Sequence, residues 1–187
     1  MSKAFSPDCD LCPRLVSYRE QSCVDYPGYF GRAVPSFGPE QPRLLVIGLA
    51  PGMHGANATG RPFTGDFAGI LLYETLHKLG LATAPESRSV DDGLTLRQTR
   101  ITNAVRCVPP QNKPIGAEIN TCRDFLTARI AALPRLRAIL ALGKIAHDST
   151  VKSLGQRMSA YKFAHNVRHD IEHDGRKLAL FASYHCS

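Results

Sequence analysis

The chain has no apolar run long enough to cross a membrane, which argues against an integral membrane protein. Its first residues, Met1 to Asp8, hold no apolar stretch that could act as a secretory signal. The cytoplasm is therefore the expected compartment. Neither G-x-G-x-x-G nor G-x-x-x-x-G-K occurs, so a nucleotide-binding enzyme is the weakest of the readings considered. There is no internal repeat and no low-complexity segment. Acidic residues are scarce, with 16 against 23 Lys and Arg, a net charge of +7. Between Arg97 and Lys113 stand Arg97, Arg100, Arg106 and Lys113 with no acid among them, and between Arg123 and Lys144 five basic residues face Asp124 alone. Such a surplus favours a polyanion, most simply nucleic acid.

What is present fits one globular domain over residues 1–187. The length of 187 residues allows a sizeable core, and 43% hydrophobic with 21% charged residues is ordinary for such a domain. Strand-like runs alternate with helix-like ones. A helix is expected from Cys9 to Gln21, capped by Asp8, and strands over Arg43–Gly48, Thr99–Val105, Arg137–Leu142 and Lys177–Tyr184. Helices are expected over Phe67–Gly80 and Ile115–Leu133, and from Gly143 to about Leu154. Gly155 to Arg176 reads as polar and irregular, with room for a short strand near Tyr161 to Val167. This pattern predicts an α/β fold, a three-layer α/β/α arrangement around a mainly parallel four-stranded sheet. In such sheets ligands bind beyond the carboxyl ends of the strands.

One stretch organises the rest. Gly48 to Asp66 spans nineteen residues with five glycines and two prolines, placed between a strand and a helix. A connection that long inside a compact domain is usually functional. Phe63 stands in it between Pro62 and Thr64, and Asp66 sits where it can cap the next helix. The second strand brings Asn103 near its end, and the last delivers His185, so three distant segments converge on one crevice.

Six cysteines in a chain with no export signal point to metal before disulfides. Cys9 and Cys12 form a C-x-x-C, and Cys107 and Cys122 follow far downstream. Four thiolates can bind zinc in a tetrahedron or hold a [4Fe-4S] cluster, and spacing alone leaves both open. Cys23 and Cys186 read as buried free thiols.

Taken together the chain resembles the uracil-DNA glycosylase superfamily, most closely its iron–sulfur-containing family 5 (type B). The resemblance rests on Gly48-Leu49-Ala50-Pro51 followed by His54-Gly55-x-Asn57-x-Thr59-Gly60-x-x-Phe63-Thr64-Gly65-Asp66. It rests also on Thr102-Asn103-Ala104-Val105-Arg106-Cys107-Val108-Pro109-Pro110, on the cysteine pattern, and on Ala182-Ser183-Tyr184-His185-Cys186-Ser187. It implies a monofunctional DNA N-glycosylase that flips uracil, and other deaminated bases such as hypoxanthine, out of double-stranded DNA. It also implies a [4Fe-4S] cluster on Cys9, Cys12, Cys107 and Cys122, with zinc as the alternative. Phe63 then stacks on the base, Asn103 pairs with its edge, and His185 stabilises it as it leaves. Asp66 positions or activates water. Gly48 and Ala50 line the base site, while His54 and Asn57 shape the pocket or touch phosphate. Family members continue past the His-x-Ser motif with a basic loop and a helix, so a chain stopping at Ser187 is expected to lack that segment. A monomer is expected. The competing reading is a catalytically impaired iron–sulfur DNA-binding module.

Overall fold

The computed structural model describes residues 5–186. Its elements in chain order are α1 (Pro13–Asp25), β1 (Leu44–Gly48), α2 (Ala56–Thr59), α3 (Phe67–Lys78), β2 (Thr99–Asn103), α4 (Gly116–Ala131), β3 (Ala138–Leu142), α5 (Lys144–Ser153), β4 (Val167–His173) and β5 (Arg176–Ser183). The sheet order is β2-β1-β3-β5-β4. The first four strands in that order run parallel, and β4 joins the edge antiparallel to β5. The four parallel strands are those expected from the sequence. The fifth is an addition, and it lies over Val167–His173 rather than Tyr161–Val167.

Alternation along β1 explains the layers. Leu45 and Ile47 point into a core shared with Leu126 and Ile130 of α4 and Ala146 and Val151 of α5. Val46 points the other way, onto Leu72, Tyr73 and Leu76 of α3. A strand buried on both faces reads as a continuous apolar run, as Leu44-Leu45-Val46-Ile47 does. The result is helix, sheet, helix.

α1 starts four residues later than expected. Its N-cap is Cys12, and Pro13 occupies the first turn, where its missing N–H leaves no helical bond unmade. Asp8 instead pairs with Arg32. The long connection after β1 is not wholly irregular, because α2 interrupts it with one turn. It is fastened from outside. The Arg61 guanidinium donates to Asp92 Oδ1 at 2.8 Å, to Ser87 Oγ at 2.9 Å and to the Val90 carbonyl at 2.7 Å, and it lies 4.3 Å from the centre of the Phe37 ring. Tyr73 donates its hydroxyl to the Pro62 carbonyl at 2.8 Å. Among the described residues no helix is long and apolar enough to cross a membrane.

Candidate active site

The carboxyl ends of β1, β2, β3 and β5 open into one cavity of about 570 Å³, within the usual range for a small-ligand site. Its lining includes Ala50, Phe63, Asp66, Asn103 and His185. Five of the eight residues expected at the site, drawn from three segments far apart in the chain, therefore meet.

Phe63 is 5% exposed and has φ of +55°, a left-handed backbone that a bulky residue adopts at a cost of roughly 1–2 kcal/mol. Neighbours hold it there. A side chain at Gly69 would put its Cβ 2.0 Å from the Phe63 carbonyl oxygen, so the helix can pass only because residue 69 has none. The Phe63 ring lies 5.9 Å from the His185 imidazole with 24° between their planes. The two rings, from different elements, lie nearly parallel in the cavity lining.

Asp66 caps α3. Its Oδ1 accepts the Gly69 N–H at 2.8 Å, the helix-capping duty expected of it. Its Oδ2 faces the Gly52–Gly55 turn, and a Cβ at Gly55 would stand 2.8 Å from that oxygen. One oxygen is committed to the helix; the other is turned toward the loop on the cavity side.

Asn103 ends β2, opposite Gly48 in the ladder, and is 3% exposed. Gly48 does not itself line the cavity, but its missing side chain makes room beneath it. A Cβ there would lie 2.5 Å from Asn103 Oδ1 and 2.6 Å from the Phe63 ring.

Two expected residues lie elsewhere. His54 is exposed, and its Nδ1 is 2.8 Å from the Tyr29 hydroxyl. The Tyr26 and Tyr29 rings stack 4.8 Å apart beside it. Asn57 is fully buried and donates to Ser22 Oγ at 3.1 Å, tying the loop to α1. Both serve the loop's outer support, and neither lines the cavity. Ser187 of the final motif lies outside the described residues.

Sequence reasoning missed one wall, made by Leu142 to Ala146 at the end of β3 and the start of α5. The signal was Gly143 between an apolar strand and Lys144; its φ of +95° turns the chain from sheet to helix. The first turn of α5 brings backbone N–H groups with partial positive charge to the cavity, with the exposed Lys144 at the rim.

The basic surplus is partly structural. Arg100 is buried and donates to the Gly38 and Pro39 carbonyls at 2.6 and 2.9 Å. Arg106 is buried, donates to the Val34 carbonyl and Ser36 Oγ, and lies 4.7 Å from the centre of the Phe5 ring. These two cations brace the chain rather than present charge to a partner.

Cys9, Cys12, Cys107 and Cys122 line a second, small cavity between α1, α4 and the segment after β2. The Arg106 backbone N–H donates to Cys122 Sγ at 3.3 Å, and the Arg19 guanidinium to Cys107 Sγ at 3.2 Å. Burial pushes the Cys12 and Cys107 thiols above their ordinary value and Cys122 up to about 12. Among the described residues no three His, Cys, Asp or Glu side chains are placed to hold a single metal ion. Cys23 and Cys186 are half-buried rather than buried, and the Cys186 thiol donates to the Ala68 carbonyl at 3.3 Å.

The family model of the uracil DNA glycosylase superfamily matches residues 35–187. A type-5 uracil-DNA glycosylase of Thermus thermophilus is 44% identical over 184 residues, covering 96% of this chain and 82% of that protein. One of Mycobacterium leprae is 47% identical over 168 residues, 85% of this chain and 73% of that protein. A type-4 uracil-DNA glycosylase of Pyrobaculum aerophilum is 34% identical over 151 residues, 80% of this chain and 63% of that protein. The matched region takes in both ends of the cavity, from β1 to His185, and on these grounds the chain belongs to the uracil DNA glycosylase superfamily, beside its type-5 members.

Proposed function

We propose that the chain is a DNA N-glycosylase that hydrolyses the bond between uracil and deoxyribose in DNA and leaves an abasic site. The observation that carries this reading is the meeting of Phe63, Asp66, Asn103 and His185 in one cavity. A base inside a duplex is out of reach, so it must be turned into such a pocket. There Phe63 offers an aromatic face, and the Asn103 amide can both donate to and accept from a base edge. Breaking the N-glycosidic bond builds positive charge on the sugar and negative charge on the base. The His185 imidazole donates to a carbonyl oxygen of the departing base. The Asp66 carboxylate offsets the sugar cation and orients water through the oxygen that α3 does not use. A cavity of about 570 Å³ walled at Leu49 and Ala50 by side chains without polar groups supports acceptance of purines such as hypoxanthine as well as uracil.

Cys9, Cys12, Cys107 and Cys122 are the residues that would hold a [4Fe-4S] cluster. The donor set fits: four thiols share one cavity, and Arg19 and the Arg106 N–H donate to two of them, which favours the thiolate form of those two against the burial that opposes it. The cluster would supply a structural clip joining the N-terminal segment to α4, with no part in the hydrolysis. Brown protein with iron and sulfide is the expected result of metal analysis, and stoichiometric zinc without iron would replace the cluster with a zinc site.

The test of function is single-turnover excision from duplexes carrying uracil, hypoxanthine, xanthine or a thymine mismatch. Wild type is expected to cleave the glycosidic bond at uracil and hypoxanthine. Asp66→Asn is expected to slow it by about 10²- to 10⁴-fold, the usual worth of a positioned acid–base group. Binding of uracil-containing duplex without excision would instead favour a DNA-binding module.

A further inference from the structure

The segment after α5, residues 155–166, read as irregular from its composition, yet it is held closely. The ring of His147, buried in α5, donates from Nε2 to the Tyr161 carbonyl at 2.8 Å. The ring of His169, in β4, donates from Nε2 to the Lys162 carbonyl at 3.0 Å. Two imidazoles from different elements thus grip consecutive peptide groups. Phe163 follows, its ring 5.6 Å from His147 and 6.0 Å from Tyr184. His165 then stacks on Tyr184, with ring centres 4.9 Å apart and 11° between planes.

The hydrogen bonds at His165 are specific. Its Nδ1 lies 3.3 Å from the Tyr184 backbone N–H and 3.2 Å from Ser183 Oγ. A peptide N–H can only donate, so Nδ1 carries the lone pair, the Ser183 hydroxyl donates as well, and the ring proton sits on Nε2. On the other side the Ser183 carbonyl accepts the Gly143 N–H at 2.8 Å, from the cavity wall at the start of α5. The two residues before His185 are therefore clamped from both flanks, although they lie at the very end of β5, where the ladder gives out.

We infer that His165 is a positioning residue: acting through Ser183 and Tyr184, it sets the chain direction by which His185 enters the cavity. The inference rests on the proposed glycosylase function. A bare strand end frays, and an error of about 1 Å at a reacting group is enough to lose about 10²-fold in rate.

Three variants separate stacking from hydrogen bonding. His165→Phe keeps a ring on Tyr184 but removes the acceptor. His165→Asn keeps an acceptor at the Nδ1 position but removes the ring. His165→Ala removes both. Single-turnover rates on a uracil duplex, duplex affinity and melting temperature are measured for each. The expectation is that His165→Phe and His165→Ala lose about 10- to 100-fold in rate, with affinity and melting temperature near wild type, and that His165→Asn recovers most of it. Rates equal to wild type in His165→Phe would overturn the inference, as would rate losses that track melting temperature across all three. Nuclear magnetic resonance signals of the His185 ring give a readout independent of chemistry. They are expected to move in His165→Phe and return in His165→Asn. Should wild type leave uracil in place, the proposed function falls, while unmoved His185 signals would overturn the positioning role itself.

Discussion

At Asp66 the two carboxylate oxygens have different neighbours, and that separates folding from chemistry. Oδ1 accepts the Gly69 N–H, a duty that Asn performs equally well. Asp66→Asn should therefore keep the wild-type melting temperature while excision falls, whereas Asp66→Ala should also lose about 1 kcal/mol of stability through the cap. Equal loss of stability in both variants would show that the carboxylate matters to folding. Gly48 allows a second residue-level prediction. Its backbone needs no unusual φ, so space alone fixes its identity. Gly48→Ala should shift the Asn103 amide and the Phe63 ring together, at a cost of about 1–3 kcal/mol, and slow excision more than stability suggests. An alanine variant with wild-type excision would show that the packing yields without moving the site.

Among the elements, the loop after β1 depends on one ion pair, buried on its Arg61 side. Arg61 and Asp92 are 5% and 13% exposed at their side chains. Burial alone would raise the Asp92 pKa, but the Arg61 hydrogen bond and the backbone N–H groups of Leu94, Arg88 and Ser89 outweigh it and hold the carboxyl well below the carboxylate range. Asp92→Asn removes the charge beside the buried Arg61 guanidinium and should destabilise the fold by about 1–3 kcal/mol, measured by denaturant unfolding. A loss under about 1 kcal/mol would mean that Ser87 and Val90 suffice to hold Arg61. β1, β3 and β5 and the helices behind them were legible in sequence as apolar or helical-period runs, while β2, Thr99-Arg100-Ile101-Thr102-Asn103, was read from Ile101 and Val105 among polar neighbours. β4 was not legible. Its inward positions are Val167, His169, Ile171 and His173, and two histidines hide an alternation that four apolar residues would have shown. The hairpin signal was nonetheless there: Asp174-Gly175 joins β4 to β5 with φ of +51° and +69°, as a tight two-residue turn requires. Phe63 and Asp66 were legible because they lie in the long glycine-rich loop, and Asn103 and His185 because they stand at or just past strand ends. His54 and Asn57 share that motif, yet neither lines the cavity: His54 is held by Tyr29, Asn57 in α2 is buried against Ser22 of α1, and no spacing rule foretold α2.

Over the whole molecule, two groups, the buried His147 and the ion-paired Asp92, give stability an acid limb. Burial holds the His147 pKa below the ordinary histidine value, against a smaller upward pull from the Tyr161 carbonyl. The folded state therefore keeps His147 neutral, while the unfolded chain takes up a proton below about pH 6.5, so stability is full above that pH and falls beneath it. Asp92 works in the same sense lower down: its stabilisation is present above about pH 3.9 and is lost as pH falls from there toward its depressed folded value. Melting temperature should decline from pH 7 to pH 5, and His147→Gln should flatten that decline. An unchanged slope would assign it to other groups. The cavity itself draws on Gly48, Asn103 and His185, near the start, middle and finish of the stretch from β1 onward. A ribosome makes the chain in one direction, at about 5–20 residues per second. The stacking ring, the acid and the amide all leave the ribosome well before His185 does. On the proposed mechanism a nascent or prematurely terminated product carries most of a base pocket but not the group that receives the departing base.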